Sequence, residues 1–293
     1  MKIPAKLYPF ESSYLDLNGL RYHYVDQGSG DPVVMVHGNP TWSFYFRKVI
    51  LALKGSCRTI VPDHMGCGFS DKPDDADYDY TLSRRVRDLQ ALLHHLKINE
   101  KITLILHDWG GMIGMAYAVR HPQSIARIIL LNTAAFHKPE DKSFPLLLWL
   151  CRDTASGAFL VRRFNLFSRC ATRLCCRRRP MPREIRSAYL APYEENSIAT
   201  LRFVQDIPLR PGDRSYDLVT EVQGKLSLFR DTPVLICWGE KDFVFDKHFL
   251  KKWKHVFPQA EVHCFPDSGH YVLEDVGEEI IELIQEFLTR HPV

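Results

Sequence analysis

Ile102-Thr103-Leu104-Ile105-Leu106-His107-Asp108-Trp109-Gly110-Gly111 is the stretch whose reading decides the fold. Its first half is apolar and β-branched, the composition of a buried strand. Its second half closes on His-Asp-Trp-Gly-Gly and runs into Met112–Ala118, which reads as helix. A strand that turns sharply into a helix, with small residues around one nucleophilic side chain, is a nucleophile elbow, usually written G-x-S-x-G. Here Asp108 takes the place of the serine and Leu106 that of the first glycine. The carboxylate decides the chemistry. It can displace a leaving group from saturated carbon and form an ester with the enzyme. Water must then cleave that ester at the carboxyl carbon of Asp108.

Outward from the elbow, strands and helices alternate. Toward the N-terminus, Ser13–Leu17 and Arg21–Asp26 read as two strands around Asn18-Gly19, a type I′ hairpin turn. Val33–Val36 is apolar throughout, as a strand covered on both faces must be. It runs into His37-Gly38-Asn39-Pro40, after which Thr41 is expected to cap a helix over Trp42–Leu53. Arg58–Val61 is a further strand, and Thr81–Leu96 repeats apolar residues at helical spacing. Beyond the elbow, Ile125–Leu131 is a strand. The alternation then stops from about Phe136 to Asp213, where helix-like pieces are separated by Pro and Gly. It resumes after Tyr216 with strands at Pro233–Trp238 and Glu261–Phe265, a helix at Lys247–Phe257 and an amphipathic C-terminal helix over Glu274–Leu288. This pattern predicts the α/β-hydrolase fold. A mostly parallel eight-stranded sheet has helices on both faces, with a core of 1–135 and 214–293 and an inserted helical cap of 136–213 over the strand carboxyl ends.

Composition excludes several classes. The 293 residues are 45% hydrophobic and 25% charged with a net charge of +3, an ordinary globular balance that argues against nucleic-acid binding. The N-terminus has no apolar stretch of secretory type, and Phe144–Leu150 is too short to span a bilayer. The eight cysteines lack metal spacing and read as reduced thiols, so a cytoplasmic location without cofactor or metal is expected.

Three loops at strand carboxyl ends each offer a reactive group: Asp108, Asp242 in Trp238-Gly239-Glu240-Lys241-Asp242, and His270 in Asp267-Ser268-Gly269-His270. The order nucleophile, acid, histidine is that of α/β-hydrolases. His270 would serve as base and Asp242 would fix its tautomer; Asp242 is favoured over Glu240 and Asp246 by its place in the loop. An oxyanion hole needs converging N–H donors, which Trp109 and Asn39 can supply from backbone and side chain.

His37-Gly38-Asn39-Pro40-Thr41-Trp42, Pro62-Asp63-His64-Met65-Gly66-Cys67-Gly68-Phe69-Ser70, the elbow and Gly269-His270 together resemble the haloalkane dehalogenases from about Tyr8 to Leu288. The resemblance implies Asp108 as nucleophile, His270 as base, and Asn39 with Trp109 as halide donors. One subfamily carries its acid as Glu after the sixth strand. Here that place reads Leu131-Asn132-Thr133-Ala134, without a carboxylate, which leaves Asp242. Leu131–Phe136, Thr200–Gly212 and Ile236–Asp246 resemble the third subfamily, which includes the β-lactone decarboxylases of bacterial long-chain olefin biosynthesis. That resemblance implies a cis-3,4-dialkyl-β-lactone losing CO2 to leave a cis-alkene. Haloalkane dehalogenation is the alternative. Epoxide hydrolysis, a second alternative, would use cap tyrosines such as Tyr189 and Tyr193.

Between Cys151 and Leu190 ten arginines face only Asp153 and Glu184, a local excess of eight positive charges. With the neighbouring Phe and Leu residues, this basic and apolar cap suits a small apolar substrate. It also suits contact with an anionic membrane surface or an enzyme assembly, hence a cytoplasmic protein at the membrane periphery.

Overall fold

The computed structural model describes residues 3–293. Eight strands form one sheet: β1 (Ser13–Asp16), β2 (Arg21–Gln27), β3 (Pro32–Val36), β4 (Arg58–Pro62), β5 (Ile102–Asp108), β6 (Ile125–Thr133), β7 (Val234–Gly239) and β8 (Glu261–Phe265). Their order is β1-β2-β4-β3-β5-β6-β7-β8. The two pairings of β2 are antiparallel and all others parallel. Asn18 (φ 59°) and Gly19 (φ 86°) both hold the positive φ of the expected hairpin turn.

Helices cover the sheet: α1 (Arg47–Leu53), α2 (Leu82–His95), α3 (Trp109–Ala118), then α4 (Leu146–Asp153), α5 (Ala155–Phe164), α6 (Leu166–Leu174), α7 (Arg183–Leu190) and α8 (Ile198–Gln205) between β6 and β7. They are followed by α9 (Tyr216–Lys225), α10 (Lys247–Val256), α11 (Val272–Asp275) and α12 (Gly277–Arg290). α1 packs on α12, and α3 packs on both α2 and α9. Every residue of β5 and β7 is buried, so both faces of the central sheet are covered. From Ala134 to Pro233 the chain forms helices and loops without a strand.

The strand order reverses between β3 and β5, the place where open α/β sheets hold their sites. Asn39 lies in the loop leaving β3, and Asp108 is the last residue of β5.

Two local expectations are corrected. Thr41 caps no helix. Its hydroxyl turns back to Gly38, accepting from the backbone N–H at 3.2 Å, and the segment starts as a short 3-10 turn over Ser43–Phe46 before α1. Asp63, twenty residues away in sequence, supplies the missing acceptor to the Ser43 N–H at 2.7 Å. The C-terminal helix is also not continuous, because the chain breaks at Val276 (φ −136°) between α11 and α12. There the Asp275 carboxylate accepts the backbone N–H groups of Gly269, Arg177 and Arg178, which ties the end of α11 to the loop before His270.

Candidate active site

The elbow is a tight backbone structure. Asp108 has φ 52° and ψ −124°, a conformation that side chains rarely adopt and that is held by its surroundings. The Thr133 hydroxyl donates to the Asp108 carbonyl at 2.5 Å. A Cβ on Gly110 would lie 1.8 Å from the Val36 carbonyl oxygen, so only glycine lets the elbow press against β3.

One Asp108 carboxylate oxygen accepts the Asn39 backbone N–H at 2.5 Å, and the other faces the His270 Nε2 at 3.5 Å. His270 Nδ1 donates to Asp242 at 2.7 Å. Asp242 is fixed in turn by the backbone N–H groups of Val244 (2.7 Å) and Phe245 (3.1 Å) and by the Asn132 amide (3.0 Å). Of the five residues singled out from sequence, Asn39, Asp108, Trp109 and His270 line one pocket, and Asp242 stands behind His270.

Electrostatics follow from this packing. Burial pushes the Asp108 carboxyl up, but the hydrogen bond and charge of His270, with His107 and the Asn39 N–H, outweigh it and hold Asp108 below its ordinary value. Burial pushes His270 down, yet the carboxylates of Asp242 and Asp108 raise it to about 10. At neutral pH the site therefore holds an imidazolium between two carboxylates. His107, buried and beside that cation, is pushed down to about 3 and is neutral. Since its Nε2 faces the His270 carbonyl at 2.9 Å, that nitrogen carries the proton and donates.

The pocket encloses about 110 Å³ and is overwhelmingly apolar. Phe136, Phe245 and Phe249 come from the sheet side, and Leu148, Phe167 and Val204 from α4, α6 and α8. One hydrogen of the Asn39 amide is spent on the Thr200 carbonyl at 3.1 Å, which leaves the other for a bound group. The Trp109 indole N–H donates to no atom among the described residues. The Asp108 carboxylate thus shares an apolar pocket with two neutral donors, an environment in which such donors act most strongly on developing negative charge.

Several supporting residues went unassigned in the sequence. Asn132, which in the sequence shows only that no carboxylate stands there, donates to both Asp242 and the Gly239 carbonyl. Phe203 packs 5.4 Å from Trp109, with the Arg85 guanidinium 3.6 Å over its ring. Thr200 and Phe203 lie one turn apart on α8, so a polar–apolar i, i+3 pair was the available signal. Tyr189 and Tyr193 lie outside the pocket lining. Their hydroxyls are committed to Glu274 (2.5 Å) and to the Thr41 carbonyl (3.0 Å).

A family profile described as the alpha/beta hydrolase fold matches residues 31–275. A cis-3-alkyl-4-alkyloxetan-2-one decarboxylase of Shewanella oneidensis is 56% identical over 97% of this chain and 90% of its own length. One of the same name from Xanthomonas campestris is 46% identical over 98% of both chains. Haloalkane dehalogenase 2 of Mycobacterium tuberculosis is 30% identical over 96% of each. The crystal structure of a haloalkane dehalogenase from Agrobacterium tumefaciens superposes with a TM-score of 0.85 at 25% identity, covering 96% of this chain and 97% of that one. Elbow, sheet order and full-length relatives agree: the chain belongs to the α/β-hydrolase fold family, as an enzyme of the group that holds the oxetanone decarboxylases and the haloalkane dehalogenases.

Proposed function

We propose that the protein is a cis-3,4-dialkyl-β-lactone decarboxylase working through an Asp108–His270–Asp242 triad, with Asn39 and Trp109 as anion donors. The observation that carries this reading is the identity to the Shewanella decarboxylase, 56% against 30% for the mycobacterial dehalogenase over nearly the same length. In this reading 136–213 form the cap, and 1–135 with 214–293 the core. Support for the cap comes from the pocket residues on α4, α6 and α8.

The chemistry balances without an added reactant. Asp108 attacks the ring carbon that bears the ring oxygen. The C–O bond breaks with inversion, and an ester to Asp108 forms beside a free carboxylate. The Trp109 indole and the unspent Asn39 amide N–H stabilise that carboxylate as it develops. Loss of CO2 then sends its C–C electron pair into the new C=C bond and expels the Asp108 carboxylate. Inversion followed by anti expulsion keeps the two alkyl groups cis. His270, a cation 3.5 Å from Asp108, stabilises the carboxylate as it leaves.

Bromoalkanes follow the first step only. The resulting ester has no CO2 to lose, so water must cleave it. Esterification also removes the Asp108 charge that helps to hold His270 protonated, which lets His270 lose its proton and act as base. Turnover in 18O-water separates the two routes. Lactone turnover is expected to leave Asp108 unlabelled, whereas bromoalkane turnover places 18O in its carboxylate. Labelling of Asp108 at every lactone turnover would exclude the water-free route. Epoxide hydrolysis is disfavoured by the engaged hydroxyls of Tyr189 and Tyr193, which lie outside the pocket lining.

A further inference from the structure

The helices between β6 and β7 carry a surface that the reaction does not use. Nine large apolar side chains are exposed among the described residues, and five of them lie here: Leu146 and Trp149 on α4, Phe159 and Phe164 on α5, and Leu174 at the end of α6. Leu146 is 76%, Phe159 59% and Trp149 46% exposed. α4 packs on α5 and α5 on α6, so these side chains belong to one helical layer. Scattered exposed apolar residues are ordinary, but a concentration of them marks an interaction site.

The charge around this layer has one sign. Residues 151–190 carry an excess of eight positive charges in a chain of net charge +3, so the rest of the molecule is net acidic. Arg152 and Arg178 are engaged by carboxylates. Arg163, Arg169 and Arg173 on α5 and α6 are exposed and make no ion pair among the described residues. The Arg163 guanidinium lies 5.5 Å over the exposed Phe164 ring. Arginine set among exposed Trp, Phe and Leu is the composition of a helix lying at a lipid interface. The same layer also walls the pocket. Leu148, Phe167 and Cys170 line it, and Leu174 belongs both to the pocket and to the exposed surface.

We propose that α4–α6 dock the protein on an anionic phospholipid bilayer. The exposed aromatic and aliphatic side chains enter the headgroup–acyl boundary and the arginines pair with lipid phosphates. The pocket wall at Leu174 then meets the membrane. No helix among the described residues is long and apolar enough to cross a bilayer, so the contact is peripheral. Docking stands on the surface alone, whereas the passage of a lactone from bilayer to pocket rests on the function proposed above.

Flotation of the full-length protein with phosphatidylcholine vesicles, with and without phosphatidylglycerol, tests the docking. Among the five tryptophans only Trp149 is exposed, so it reports insertion directly. The expected result is flotation with anionic vesicles at low salt, weakening as salt rises, and a blue shift of Trp149 emission that Trp149→Phe removes. The charge reversal R163E/R169E/R173E is expected to weaken vesicle binding at least tenfold. It should leave turnover of a detergent-solubilised short-chain lactone unchanged, because none of the three lines the pocket. Absence of flotation, including the case where an acidic protein binds these arginines instead, overturns the proposal. Equal binding to neutral vesicles, or no effect of the charge reversal, overturns it as well. Lactone turnover without flotation would leave the proposed function standing alone; flotation without lactone turnover would leave only the docking.

Discussion

In the proposed mechanism the residue that sets the chemistry is Asp108, and its neighbours hold it as a carboxylate. The Asn39 N–H at 2.5 Å and the His270 cation at 3.5 Å both favour the charged form against the cost of burial. Asp108→Ala is expected to abolish turnover of lactone and bromoalkane alike, with an unchanged circular dichroism spectrum, since no other carboxylate among the described residues lines the pocket. Wild-type rates in that variant would refute the nucleophile assignment. In the proposed mechanism Asp242 orients the His270 ring and stabilises its cation, so Asp242→Asn should cost on the order of 10⁴-fold in rate, as loss of a triad acid does elsewhere. A loss below about tenfold would place the acid on another residue. Asn132, 3.0 Å from Asp242 and at φ 39°, offers a second position. Asp tolerates positive φ nearly as well as Asn, so N132D in the D242N background should recover part of the lost rate. No recovery would show that Asn132 lies beyond reach of His270.

At the scale of the element, the elbow holds its shape because the start of α3 presses on the end of β3 with no space to spare. Gly110→Ala is expected to destabilise the fold by about 1–3 kcal/mol, the usual cost of overpacking, with thermal unfolding as the readout. An unchanged unfolding temperature would mean that β3 can yield where the packing says it cannot. The sequence disclosed this element because its signals are local: a β-branched apolar run, two glycines and the helix that follows. The strands and the chain order of Asp108, Asp242 and His270 were legible for the same reason. What escaped was long-range. The start of the Ser43 turn depends on Asp63, and the break at Val276 on Asp275 reaching Gly269, Arg177 and Arg178. Capping rules read neighbours within four residues, and these acceptors are brought in by the fold. The second bonding partner of Asn39, the Thr200 carbonyl, comes from α8, 161 positions away in the chain.

Over the whole molecule, the buried cation between Asp108 and Asp242 links stability to pH. His270 is raised above its ordinary value, to about 10, so the stability it contributes is fully present below pH ~6.5 and is lost as pH rises through about 10. Asp108 is held below its ordinary value, so its contribution is present above pH ~4 and is lost on acidification through the lowered value. The difference in unfolding temperature between wild type and His270→Gln should therefore shrink between pH 7 and pH 10.5. A constant difference would mean that His270 is neutral at pH 7.

The same molecule must choose between two leaving groups. Two alkyl arms in an apolar pocket contribute about 0.8 kcal/mol per buried methylene, a gain that a short haloalkane lacks. The most direct test compares kcat/KM for a long-chain cis-3,4-dialkyl-β-lactone with that for a panel of bromoalkanes, following alkene, CO2 and bromide together. A lactone decarboxylase releases cis-alkene and CO2 in equal amounts, at far higher efficiency than bromide release. Higher efficiency on a simple bromoalkane, with no alkene from the lactone, would contradict the proposed function.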